Sequence, residues 1–173
     1  MANGLGSMSL RPLAAALNTS DRMLIYYFES RDQLVAAIAV RAAEGLVAAL
    51  PRIDPAKPPQ SARTWLDRCW AVFADPNARP AMALLFELDA LAVRSSGPLR
   101  DATQAVTQTW IADVEGVLAA LRVPTRGRRA LARVVAASLI GLMLEALTAT
   151  EPTRPGPEFA ILANLIDGQH QPH

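Results

Sequence analysis

Apolar residues recur three and four positions apart along most of this chain, and prolines, glycines and small polar residues interrupt the pattern. Leu10, Leu13, Ala14 and Leu17 form the apolar face of a first short helix. Ser9 is its expected N-cap, and Pro12 falls in the first turn, where a missing N–H costs nothing. Asn18 stands where a helix ends on a left-handed residue, a role Asn fills next best after Gly. A second short helix is predicted from Asp21 to about Tyr27, with Ser20 as N-cap and Leu24 and Phe28 turned inward. Ser30-Arg31-Asp32-Gln33 then reads as a capping box, in which Gln33 reaches back to the cap. The helix it opens carries Leu34, Val35, Ile38, Ala42, Leu46 and Ala49, and ends at Leu50–Pro51.

Residues 51–60, PRIDPAKPPQ, hold four prolines and are the clearest linker. They divide the chain into an N-terminal region, 1–50, and a C-terminal region, 51–173. Five more helices are predicted, over 61–74, 78–94, 99–121, 125–150 and 156–167, and each break between them holds a proline. Val106, Trp110, Val114, Val117 and Leu121 make one helical stripe; Leu131, Val135, Ser138, Leu142 and Glu145 make another. No strand alternation and no repeat is found, so the expected fold class is all-α. Two short helices joined by a turn of about 3–4 residues form a helix-turn-helix, whose second helix can enter the DNA major groove.

Composition narrows the function. The chain is 51% hydrophobic and 19% charged, which excludes a disordered chain, and its net charge is +1. Any attraction for nucleic acid must therefore be local. Cys69 is the only cysteine, which excludes an intrachain disulfide and a cysteine zinc site. Its neighbours Trp65, Leu66, Trp70 and Phe73 make it a core residue rather than a redox sensor. The two histidines, His170 and His173, lie in the tail, and there is no phosphate-binding glycine loop, so an enzyme is not expected. The opening MANGLGSMSLR carries no apolar signal segment. The longest apolar stretch, Val134–Leu147, includes Ser138 and Glu145 and reads as too short to span a membrane. The chain reads as cytoplasmic, with no membrane partner, no metal and no cofactor.

The run Asn18-Thr19-Ser20-Asp21-Arg22-Met23-Leu24-Ile25-Tyr26-Tyr27-Phe28, followed by Glu29-Ser30-Arg31-Asp32-Gln33-Leu34, resembles the DNA-binding signature of the TetR family of transcriptional repressors. Asn18 stands for the usual turn Gly, and Ile25 for a common Tyr or Phe. Beyond residue 50 only the number and order of helices match. The resemblance implies a helix-turn-helix followed by a helical ligand-binding and dimerisation bundle. It places Arg11 on phosphate, and Ser20, Asp21, Arg22 and Met23 at the leading end of the recognition helix. Arg22 is the candidate guanine reader, since its fork can bond O6 and N7 together. Met23 and Tyr26 fit a thymine methyl or the sugar edge, and Tyr27 and Arg31 fall at phosphate-holding positions. The alternative is that both tyrosines pack and Arg22 is merely solvated. The family has a further helix ahead of this motif, whereas eight loop-like residues precede Ser9 here. The expectation is a truncated start or a regulator of impaired DNA affinity.

The last two long helices match the family's dimerisation pair. Val134, Ser138, Gly141, Leu142, Ile161, Leu162 and Leu165 are the expected dimer interface, with an intrachain core as the alternative. Trp65, Phe73, Met82, Phe86, Trp110, Leu139 and Met143 fall on core faces of four helices and are the expected lining of an apolar ligand pocket. Ordinary core packing explains any one of them equally well. Glu145 and Asp89 are candidate anchors for a polar or cationic ligand group. The resemblance thus implies a ligand-responsive repressor that binds a palindromic operator as a homodimer and is released by a small apolar effector. The competing expectation is a dimeric small-molecule-binding protein without DNA binding.

Overall fold

The computed structural model describes residues 10–50, 60–150 and 154–168, and all regular structure among them is helical. The helices are α1 (Leu10–Ala16), α2 (Asp21–Phe28), α3 (Arg31–Ala49), α4 (Ala62–Phe73), α5 (Arg79–Arg94), α6 (Pro98–Ala120), α7 (Arg128–Thr148) and α8 (Gly156–Asp167). The expected Ser9 cap, the linker through residue 59 and the tail histidines lie outside the described residues.

Packing separates two compact units. One joins residues up to Gly45 with Ala81–Val106; the other joins Leu46–Pro80 with the chain from Thr107 onward. This division differs from a cut at residue 51. Leu88 and Ala92 of α5 and Leu99 of α6 pack on Val35 and Ala39 of α3, which draws these segments to the N-terminal helices.

In the first unit α1 packs on α2, and Ala14, Leu24 and Leu34 form a small core flanked by Leu10, Leu13, Phe28 and Ile38. Asn18 has φ 50° and ends α1 as expected. The Thr19 N–H donates to Ala14 O and the Asn18 N–H to Ala15 O, the paired bonds of a Schellman motif. The capping box at α3 is only half formed. Ser30 Oγ accepts from the Gln33 N–H at 3.1 Å, but the Gln33 side chain donates to Glu29 at 3.0 Å. The Ser30 N–H is already taken by Phe28 O, because Glu29 turns the chain sharply at φ 61°.

In the second unit α4 packs along α8. Phe159 is fully buried at the seam, edge-on to Trp70 at 6.0 Å, with the Arg63 guanidinium 6.0 Å from its ring centre. α6 closes on a second Schellman motif, with Arg122 at φ 63° in the position that favours glycine. α7 begins three residues later than its apolar pattern predicts, because Thr125–Gly127 form a turn and Gly127 adopts φ 79°. Arg128 fastens this turn through two bonds to Val123 O. α7 has 21 residues, and its most apolar 18-residue window has a mean hydropathy of 1.9, so it is long and apolar enough to cross a membrane by length and composition alone. The stretch read from sequence as too short, Val134–Leu147, gains its length almost wholly at its N-terminal end, from Arg128 to Arg133. Its Ala132, Val135, Ala136, Leu139 and Met143 nevertheless form a buried stripe, as in a core helix.

Candidate nucleic-acid interface and ligand clefts

α2 is eight residues long and is capped at its N-terminal end. Ser20 Oγ accepts the Met23 N–H at 3.2 Å, and Asp21 in the first turn complements the helix dipole. Leu24 is buried and Phe28, four positions on, is half-buried, which anchors one face to the core. The opposite face carries Arg22, Met23, Tyr26 and Tyr27, all exposed; the tyrosines are 76% and 71% accessible. Their rings meet edge-to-face at 5.6 Å. These tyrosines do not pack into the core. The face offers one guanidinium, two phenols and one thioether on a single side of a helix.

Arg11 is exposed, and its Nε lies 3.9 Å from Asp21 Oδ2, a loose pair that competes weakly with another anion. Arg31 is half-buried at the start of α3. The eight residues of this expected interface therefore lie on α1, on α2 with its cap and at the α3 N-terminus, all within the first unit.

The expected pocket residues divide differently. Met82, buried, and Phe86, half-buried, belong to the first unit; Trp65, Phe73, Trp110, Leu139 and Met143 belong to the second. Two clefts open in the second unit. One, of about 250 Å³, is lined by Trp70, Phe73, Ala74, Asp75, Pro76, Arg79, Ala146 and Leu147. The other, of about 280 Å³, is lined by Trp70, Leu142, Glu145, Ala146, Arg154 and Glu158, among others. Phe73 and Glu145 thus border clefts, whereas Trp65, Trp110, Leu139 and Met143 line neither. Trp65, Leu139 and Met143 are core residues. Asp89 is exposed on α5, and restricted hydration pushes its carboxyl above the usual range. Trp110 Nε1 is buried and has no hydrogen-bond partner among the described residues.

Residues that sequence spacing did not reveal order these clefts. Arg79 caps the C-terminal end of α7 by donating to Ala146 O and Leu147 O. Asp67 receives both Arg63 and Arg154, and Arg63 also donates to Gly156 O. The partners of Arg79 and Gly156 are 67 to 93 residues away in sequence, beyond the reach of any local pattern.

Of the expected dimer residues, Val134, Ile161 and Leu165 are exposed at 50%, 68% and 40%. Gly141 is exposed, with open space where a Cβ would stand, and Ser138 and Leu142 are half-buried. Leu162 is buried in its own unit with Phe159, Ala163 and Ile166.

No family model and no curated protein matches this chain. Among solved structures, the TetR family transcriptional regulator PfmR from Thermus thermophilus is similar at 21% identity, over 95% of this chain and 88% of that one, with a TM-score of 0.52. The eight described helices, with a helix-turn-helix at their start, therefore have the fold of a TetR family transcriptional regulator.

Proposed function

We propose that this chain is a TetR family transcriptional regulator, not an enzyme, that reads duplex DNA through α2. The observation that carries the reading is the exposed face of Arg22, Met23, Tyr26 and Tyr27 on a capped helix whose other face is fixed by Leu24. A major groove admits such a helix, and an arginine at its leading end can bond a guanine edge. Arg11, Ser20, Asp21, Tyr27 and Arg31 serve as flanking phosphate contacts and supports.

The reading includes a homodimer through α7 and α8. α7 is mostly apolar beyond Arg133, yet only 28% of its most apolar window is buried within the chain. Val134 and Gly141 on α7 and Ile161 and Leu165 on α8 supply the uncovered apolar face. A two-fold pair would space two recognition helices about 34–36 Å apart, as a palindromic operator requires. A small effector in the helical body would act through α3, whose Val35 and Ala39 pack on α5 and α6. A coupling of about 1–3 kcal/mol is enough for switching from repression to release.

Residues 1–50 hold four arginines and four acids, so this segment has no net attraction for phosphate. That observation favours a second reading, a ligand-binding dimer with weak operator affinity. An anisotropy titration on the DNA flanking the gene, at about 100 mM salt, tests both. Preference for the flanking duplex over a random one, lost in Arg22→Ala by about 1–3 kcal/mol, supports the first reading. Equal weak binding to both duplexes supports the second.

A further inference from the structure

The basic charge missing from the reading segment is concentrated elsewhere. Between Gly116 and Leu144 the chain carries Arg122, Arg126, Arg128, Arg129 and Arg133 and none of its sixteen acids. Two of these arginines are structural. Arg128 holds the α6–α7 turn through Val123 O, and Arg129 ties it to Glu115 at 3.0 Å and Gln108 at 2.9 Å. The other three, Arg122, Arg126 and Arg133, are exposed, with no ion pair among the described residues. We propose that this turn and the start of α7, from Arg122 to Arg133, form a sequence-independent contact surface for the phosphates of duplex DNA, separate from the α2 reading face.

Three observations carry the assignment. The first is the charge itself: three guanidiniums without an ion pair among the described residues, within twelve residues, two on the turn and one on the start of α7, with two further arginines bracing them. Guanidinium forks match phosphate oxygens bidentately. The second is Arg122. It occupies a left-handed position at φ 63°, where glycine is unstrained and an L side chain is not. The left-handed residue closes α6, and an arginine there rather than a glycine adds a third positive charge to this surface. The third is what the surface lacks. From Leu99 to Arg133 no large apolar side chain is exposed among the described residues, and Val123 and Ala132 are turned inward; the next residue, Val134, is 50% exposed and belongs to the dimer face proposed above. A protein-docking face has an apolar or aromatic centre, and a membrane-seeking segment inserts apolar residues. A surface dominated by guanidiniums suits a polyphosphate backbone, whose recognition rests on charge.

The test is anisotropy with a fluorescein-labelled random-sequence duplex of about 24 base pairs and the full chain, from about 25 to 200 mM NaCl. The triple variant Arg122→Ser, Arg126→Ser, Arg133→Ser is expected to bind at least about tenfold more weakly at the lower salt. Its log–log salt slope should be shallower by about 2–3, since each lost phosphate contact removes about 0.9. The triple Arg→Lys variant should retain most of the slope. Arg126→Glu alone repeats the test if the triple variant melts early. A triple variant with the wild-type slope overturns the assignment. So does tighter wild-type binding to phosphatidylserine vesicles or to polyglutamate, lost in the triple variant, which would make the partner a membrane or an acidic protein. The preference for flanking over random duplex depends on Arg22, so the two readings fail separately.

Discussion

Arg154 Nη2 lies 2.9 Å from Oδ1 of Asp67, the same oxygen that Arg63 Nε approaches at 3.1 Å. One carboxylate on α4 thus fastens the segment just before α8, while Arg63 also grips Gly156 O at the first residue of α8. Desolvation pushes the Asp67 carboxyl up, but the hydrogen bonds and charges of Arg154 and Arg63 together outweigh it, and the net shift is below the usual 3.8.

A depressed carboxylate contributes stability above its unfolded value and loses it as pH falls through the folded one. The wild type should therefore lose this contribution below about pH 4. Asp67→Asn should be less stable by about 1 kcal/mol at neutral pH, because Arg154 is 60% exposed and solvent screens the pair. Urea unfolding at neutral pH and at progressively lower pH checks both points: the gap between the proteins should narrow as pH falls below about 4.

Ser20→Ala removes the acceptor for the Met23 N–H at the start of α2. Loss of such a cap costs about 1 kcal/mol. Because α2 has only eight residues, the loss should fall mainly on that helix. Amide exchange should accelerate in α2 while protection in α7 stays unchanged, and operator binding should weaken with it.

Cys69 is buried, and desolvation pushes its thiol up to about 12. At about pH 8 the folded protein should react with a disulfide reagent only as fast as it unfolds. Addition of denaturant should release one thiol per chain. Fast labelling of the native protein would show that α4 opens locally.

Val134→Asp with Ile161→Asp places charges at two positions that are 50% and 68% exposed in a single chain. Folding should be preserved, since neither side chain is in the core. Light scattering at micromolar concentration should then report the 18.5 kDa mass of one chain, against a dimer for the wild type.

Arg122→Gly relieves an L residue held at φ 63°. The variant should be more stable by about 1 kcal/mol, read as a higher melting temperature. It should also bind random duplex more weakly, so stability and phosphate contact move in opposite directions.

Much of the local structure was legible in residue order. Asn18 is left-handed and Ser20 caps α2 because helix ends are decided within a few residues. The α2 face was legible for the same reason: Leu24 and Phe28 share one side, which forces Arg22, Met23, Tyr26 and Tyr27 to the other. The capping box failed at Ser30 because a backbone bond to Phe28 O took the donor that Gln33 was expected to meet. A stripe of large apolar residues has one signature whether it lines a cavity or fills a core, so spacing alone does not separate the two for the expected pocket residues. Trp65, Leu139 and Met143 fill the core.

The sequence by itself determined an all-α chain, its helices to within three residues at either end, and the residue types on its candidate reading face, since each follows from spacing and capping within a few positions. Only the tertiary structure decided that α5 and the start of α6 pack with the N-terminal helices, that Asp67 gathers two arginines, and that Leu162 is buried while Ile161 is not. Those outcomes depend on which apolar faces meet, and that is a property of long-range packing that no local pattern encodes.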